Sequence, residues 1–250
     1  MSKTVKSAGV LLLCLVCVLS GTGAAAAGQD GGVRMRTEHV AYVSGVPGGY
    51  FEPNRFVTRA EAAKMLWGLI DPETAPAASA SGYYSDVAVD VWFYTAVTRL
   101  AATGAFRAQS GMWRPGDMMT RGEFADMVVR TLGLSDTICE KSCPFTDISQ
   151  SVYRQSILVL YENGWAHGYT ADGKSCYGPD KYLTRAEAVT LLNRIQGRGP
   201  LNFETVTDDA VMFKDNVDMS AWYYYEILEA ATSHEHVLSE SGFEFWTKVE

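Results

Sequence analysis

Three segments of the chain repeat one pattern of apolar and polar positions: FVTRAEAAKML from Phe56, MMTRGEFADMV from Met118 and YLTRAEAVTLL from Tyr182. Counting from the threonine, apolar side chains fall four, seven, eight and then eleven or twelve residues on. They are Ala62, Met65, Leu66 and Leu69; Phe124, Met127, Val128 and Leu132; and Ala188, Leu191, Leu192 and Ile195. That spacing draws one stripe down a helix, so each segment predicts an amphipathic helix facing a core. A second helical set follows an aromatic-x-Asp triplet and a further aromatic. Its copies are Tyr84-Ser85-Asp86 with Trp92, Phe145-Thr146-Asp147 with Tyr153, and Phe213-Lys214-Asp215 with Trp222. Val97, Ile157 and Ile227 lie seven residues before Gly104, Gly164 and His234, read as helix ends because glycine is the usual residue just past a helix.

The boxes themselves explain two of their four residues. Thr58, Thr120 and Thr184 at the N-cap, with Glu61, Glu123 and Glu187 three residues on, form capping boxes in which each side chain satisfies a backbone N–H at the helix start. A cap of this kind contributes about 1 kcal/mol. Arg59, Arg121 and Arg185 are not required by a capping box, and a cation at the first helical position costs a few tenths of a kcal/mol, roughly, against the helix dipole. A guanidinium beside unpaired helix N–H groups makes a small anion site, its rigid fork suited to carboxylate or phosphate. The competing reading is an internal ion pair with Asp86, Asp147 or Asp215.

Thr58, Thr120 and Thr184 are 62 and 64 residues apart, so the pattern is an internal repeat. It opens with a TRAE half-repeat (39–70), continues through 83–134 and 144–197, and closes with an aromatic-x-Asp half-repeat (211–235). The last half supplies what the first lacks, so three units are expected to close on one another and share one core within a single module, 37–235. Small polar stretches at 71–82, 135–142 and 197–207 separate them. The tail, 236–250, falls outside the repeat.

Composition narrows the setting. Lys3 and Lys6, an apolar run from Ala8 to Leu19 and Ala25-Ala26-Ala27 read as a secretory signal peptide over 1–27, too short for a membrane span. Its removal takes two positive charges from a chain whose net charge is −8, which disfavours nucleic acid and anionic membranes as partners. Cys139, Cys143 and Cys176 would remain, an odd number that permits one bridge, as Cys143–Cys176 or Cys139–Cys143, or none. They lack CxxC spacing, and no metal or other cofactor is expected. His234 and His236 are read as helix-end caps. There is no nucleophile elbow, phosphate loop or HExxH, and the repeat consumes nearly the whole mature chain, so no catalytic residues are assigned.

On the TRAE boxes, the aromatic-x-Asp helices and the turns before each box (Gly49-Tyr50-Phe51-Glu52-Pro53-Asn54, Met112-Trp113-Arg114-Pro115-Gly116 and Cys176-Tyr177-Gly178-Pro179-Asp180), the chain resembles a three-repeat S-layer homology (SLH) domain over about Tyr42 to Ser233. The resemblance implies a mainly α, pseudo-threefold bundle of three helix-loop-helix repeats with short extended loops. It also implies a secreted, non-enzymatic protein that anchors non-covalently to a Gram-positive cell wall through an acidic, often pyruvylated, secondary polysaccharide. Residues carried over as ligand-binding are Arg59, Arg121 and Arg185, joined by Trp92, Trp222, Asp86, Asp147 and Asp215, with core packing the competing role for the tryptophans. The copies differ: the second keeps only Phe106 to Met112 before its box and has Gly122 where alanine is usual, and the third has Tyr153 in place of tryptophan, so the groove of Arg121 is expected to be the degraded one and Arg59 and Arg185 the better candidates. The alternative readings are a surface protein that binds another protein and, ranked last, a glycoside hydrolase using one of many carboxylate pairs.

Overall fold

The computed structural model describes residues 33–78, 84–106, 111–140, 142–199, 205–240 and 244–250. The expected signal peptide lies outside them. Among the described residues six helices form: α1 (Arg59–Gly68), α2 (Tyr94–Ala102), α3 (Arg121–Thr131), α4 (Arg154–Glu162), α5 (Arg185–Gln196) and α6 (Tyr224–Ala231). Four short strands make two antiparallel hairpins, β1 (Tyr169–Ala171) with β2 (Lys174–Cys176), and β3 (His234–Leu238) with β4 (Glu244–Val249). No helix among the described residues is long and apolar enough to cross a membrane.

Helices α1, α3 and α5 start at the three boxes, and each capping box is complete, threonine and glutamate bonding reciprocally to the backbone. All twelve stripe residues named above are buried, as are Val97, Ile157 and Ile227 on α2, α4 and α6. The helices pair as α1 with α2, α3 with α4 and α5 with α6, and one continuous core joins residues from all six. Removing these side chains from water is the main stabilising term, about 1.5–3 kcal/mol for each large aliphatic residue. Gly104 and Gly164 stop α2 and α4 with φ of 75° and 74°, a backbone state that other residues adopt only at a cost.

Hydrogen bonds tie the three boxes into a cycle. Val57 N–H donates to Leu183 O, Leu183 N–H to Met119 O, and Met119 N–H to Val57 O, each at 2.9 Å. The first helical N–H of each box is also taken from outside its own unit: Arg59 donates to Asp117 O, Arg121 to Lys181 O and Arg185 to Arg55 O. The second is taken likewise, by Pro115 O, Pro179 O and Pro53 O. The helix starts are therefore closed, because the loop of a neighbouring copy satisfies the donors that a free helix end leaves open. This corrects the expectation of unpaired N–H groups beside each arginine.

The aromatic-x-Asp triplets hold those same loops. Asp86 accepts the N–H groups of Trp113 and Arg114, Asp147 those of Tyr177 and Gly178, and Asp215 those of Phe51 and Glu52, at 2.7–2.9 Å. The last triplet thus serves the first box loop across 164 residues. Both oxygens of each carboxylate accept a backbone donor, so the structure gives Asp86, Asp147 and Asp215 a loop-clamping job, and among the described residues the box arginines pair with other partners.

A further correction concerns the C-terminus, and the state of the thiols, left open by the sequence, is settled. Both His234 and His236 lie in β3, and only His234 reaches the end of α6, its Nδ1 2.9 Å from the carbonyl of the C-cap residue Thr232; the tail read as outside the repeat forms the β3–β4 hairpin, with Trp246 buried. Cys139, Cys143 and Cys176 are all free.

Candidate functional site

Each box arginine leans across onto a neighbouring copy. Arg59 donates through Nε to Trp113 O (2.9 Å), Arg121 to Tyr177 O (2.8 Å) and Arg185 to Phe51 O (2.8 Å). In each case the guanidinium also lies over the ring of that residue, with centroid distances of 4.3, 4.8 and 4.5 Å. Arg59 then pairs with Glu123 (3.0 Å) and Arg121 with Glu187 (2.6 Å), the capping-box glutamate of the next copy in both cases. These bonds use Nε and Nη1, and Nη2 of either arginine meets no protein acceptor among the described residues.

Arg185 is different. It is 4% exposed, and its Nη2 donates to Ser44 O at 2.9 Å. The glutamate that would complete the pattern, Glu61, is taken by Arg55 through two bonds of 2.7 and 3.1 Å. Burial and the nearby Arg55 charge both disfavour the charged form of Arg185. With its guanidinium committed to two carbonyls, Arg185 reads as a structural residue.

The clefts around Arg121 and Arg59 also differ. That of Arg121 measures about 460 Å³ and is lined by Trp165, Tyr169, Lys181, Glu187, Arg194 and Trp222 among others. Three cations face one carboxylate there, and Lys181 stacks on Tyr169 at 4.2 Å. Tyr177 forms its buried floor, its hydroxyl pushed up to about 12 by burial and so a neutral donor, bonded to Arg121 O. The cleft of Arg59 is about 190 Å³, with Arg59 and Arg114 balanced by Glu123 and Asp126. Burial holds the pKa of Arg59 below its ordinary value.

Tyr153 lines the Arg59 cleft, and an added Cβ at Gly122 would come within 2.5 Å of its ring. The ring therefore rests against a helix start that has no methyl group. Tyr153 thus lines the cleft of Arg59 and Gly122 packs against its ring, so both departures bear on that cleft, while the Arg121 groove, expected to be the degraded one, is the larger of the two. Trp92 and Trp222, for which core packing was the competing reading, are 61% and 60% exposed. Trp222 is brought beside Arg121. Repeat spacing did not point to Lys181, Arg194, Trp165 or Tyr169; the signal was the third copy's Gly168-Tyr169-Thr170-Ala171-Asp172-Gly173 turn, which folds into the β1–β2 hairpin.

Helix-loop-helix copies whose capped arginine helices reach across to one another define a repeat module with clefts between its copies. The S-layer homology domain model matches residues 41–63 and 144–189, and the chain is an S-layer homology domain protein. The second box, with Gly122, lies outside both matched segments although it makes the same bonds as the others. Similar proteins include cell surface glycoprotein 1 of Acetivibrio thermocellus, 31% identical over 218 residues, or 83% of this chain and 9% of that protein. The cellulosome-anchoring protein of the same organism is 29% identical over 221 residues, covering 86% of this chain and 47% of the other. The surface-layer 125 kDa protein of Lysinibacillus sphaericus is 27% identical over 155 residues, covering 61% and 13%. The chain thus spans less than half the length of each of these relatives.

Proposed function

We propose that this chain is a non-catalytic anchor that holds an exported protein to a Gram-positive cell wall by binding an acidic, pyruvylated secondary polysaccharide between its repeats. Three units, the first completed by the last half-repeat, are arranged with pseudo-threefold symmetry in this reading, which the cycle of box hydrogen bonds supports. The names of the surface and anchoring relatives support the location. The cleft of Arg121 carries the reading: it offers three cations, an exposed tryptophan for a sugar face and a neutral tyrosine floor. A ketal carboxylate would take the fork of Arg121 and the ammonium of Lys181, charge-assisted bonds stronger than neutral ones. The chain's overall acidity gives little long-range attraction, so binding by this local cluster is expected to survive moderate salt. Arg59 serves a smaller, electrically balanced cleft and Arg185 none.

A second reading, docking of another protein, has one observation in its favour. Phe56, Met118 and Tyr182, which stand two residues before the three box threonines, are all exposed.

The test is co-sedimentation of the purified chain with Gram-positive sacculi, before and after removal of the secondary polymer, for wild type and the Arg121→Ala and Trp222→Ala variants. Binding that needs the polymer and falls at least tenfold in Arg121→Ala is the expected result. Polymer-independent binding lost in a Phe56/Tyr182→Ser variant would transfer the function to protein docking, and binding to no wall would end the anchoring reading.

A further inference from the structure

The C-terminal hairpin and the N-terminal segment meet at a group of side chains that wall anchoring leaves unexplained. His39 pairs with His234 as an isolated antiparallel bridge, the His234 N–H donating to His39 O at 3.0 Å. Their rings converge with a carboxylate. His39 Nδ1 is 3.1 Å from His234 Nε2 and 3.0 Å from Glu244 Oε1, and His234 Nε2 is 2.9 Å from that same oxygen. All three residues are buried.

The tautomer of His234 is constrained. Its Nδ1 lies 2.9 Å from Thr232 O and so carries the proton, which leaves Nε2 as a lone pair in the neutral ring. A lone pair facing a carboxylate oxygen and a second imidazole nitrogen calls for a proton or a metal ion among them. A carbonyl that fixes the far ring nitrogen is also the usual support of a metal-bound histidine. His236, half-buried and stacked on His39 at 3.9 Å, brings a donor atom within 4.8 Å of the others on the solvent side. Four atoms around a zinc ion, at bonds of about 2.0–2.2 Å, lie roughly 3.3 Å apart, so a small inward movement of His236 closes the set.

The surroundings favour added positive charge. Buried Glu229 lies 3.3 Å from His39 Nδ1 and 3.4 Å from His234 Nε2. It is also bonded to Arg198 and to Trp246 Nε1, while the Trp246 ring stacks on His234 at 4.0 Å and screens it from water. Of the two buried carboxylates only Glu229 pairs with the buried Arg198 guanidinium, so a cation beside Glu244 would offset a buried negative charge, which is costly if uncompensated.

We propose that His39, His234, His236 and Glu244 form a site for one divalent transition-metal ion, zinc by the preference of three imidazoles and a carboxylate, which clasps the N-terminal segment to the C-terminal hairpin. This departs from the expectation of no metal, an expectation based on local spacing that could not pair residues 39 and 244. Imidazole nitrogens exclude calcium and magnesium as the natural occupants.

The experiment uses tag-free chain stripped with a chelator and titrated with zinc against a chromophoric competitor, with cobalt(II) as a spectroscopic substitute. One zinc per chain, a rise in melting temperature on adding it, and the strong visible absorption of four-coordinate cobalt are expected. His236→Ala removes a ligand that makes no side-chain hydrogen bond among the described residues, so the chain should fold. It should weaken zinc binding more than about 100-fold, beyond the 10–100-fold typical of outer-shell changes. Glu244→Gln should do the same; if it fails to fold, the His236 variant decides. A folded wild type that retains no zinc, or a His236→Ala variant that binds zinc as wild type does, overturns the site and leaves a protonated histidine–carboxylate cluster.

Discussion

Arg121 and Arg185 begin their helices with the same cap, reach across to a carbonyl in the same way and lie over an aromatic ring at nearly the same distance. Their fates are opposite. The difference comes from the loop residue whose carbonyl receives each arginine's N–H, Lys181 for Arg121 and Arg55 for Arg185. Lys181 lies over Tyr169 and leaves Glu187 to Arg121. Arg55 is long enough and forked enough to take Glu61 with two bonds, so Arg185 turns inward to Ser44. A motif that starts a helix therefore does not decide whether its arginine faces a ligand; one loop residue does.

The sharpest way to break this contrast is to truncate both arginines. Arg185→Ala empties a buried position and leaves the carbonyl of buried Phe51 without its donor, and should cost about 3 kcal/mol of stability. Arg121→Ala, at a partly exposed site, should cost about 1 kcal/mol and yet lose wall binding. Urea denaturation and sacculus co-sedimentation on the same two proteins separate the roles. Equal stability losses would mean that Arg121 is as structural as Arg185, and the cleft assignment would fall with them. Arg55→Ala sharpens the point: if Arg55 is what diverts Glu61, freeing that glutamate should make Arg185 less critical, so the two substitutions together should cost less than their sum.

The Arg59 cleft offers a test of why one copy is narrower. In Gly122→Ala the new methyl group meets the Tyr153 ring at 2.5 Å and Pro179 O at 2.9 Å. Ala60 and Ala186 already tolerate the corresponding carbonyls, Pro115 O and Pro53 O, so the ring is the obstacle. The substitution should cost about 2 kcal/mol as overpacking, and markedly less in a Tyr153→Ala background. The same cost in both backgrounds would assign the clash to Pro179.

Much of the scaffold was legible because it rests on short-range rules. The Thr–Glu pairs had to cap, and the apolar stripe from Ala62 to Leu69 and its two counterparts had to be buried, whatever lay beyond them. The aspartates were visible as a recurring triplet, but their partners, such as Phe51 for Asp215, are set by how the copies close, which no local window contains. The clefts were harder for the same reason. Each is assembled from two copies, so Gly122 bears on the cleft of Arg59 through the Tyr153 ring, although it follows Arg121 in the chain. Exposure of Trp92 and Trp222 was not readable from residue type, since tryptophan packs in cores and on sugar-facing surfaces alike. The β3–β4 hairpin lay outside the repeat, and only the fold brings His39 to it.

The smallest expected effect concerns what the three copies share. Burial opposes the charge on Asp86, but the N–H groups of Trp113 and Arg114 more than offset it and hold the carboxyl below its ordinary value. A depressed folded pKa means that the carboxylate's contribution is complete above the unfolded value, about 3.9, and is lost as pH falls through the folded one. Asp86→Asn replaces one accepting oxygen with a donor and removes the charge. It should cost about 1 kcal/mol at pH 7, discounted for the exposure of the site, with the gap from wild type closing as denaturation is repeated at steadily lower pH. A gap that stays constant would mean that the loop depends on the shape of the side chain and not on its charge. In that case Asp147→Asn and Asp215→Asn should behave identically, since all three clamp a loop by the same pair of bonds whatever the cleft beside them holds.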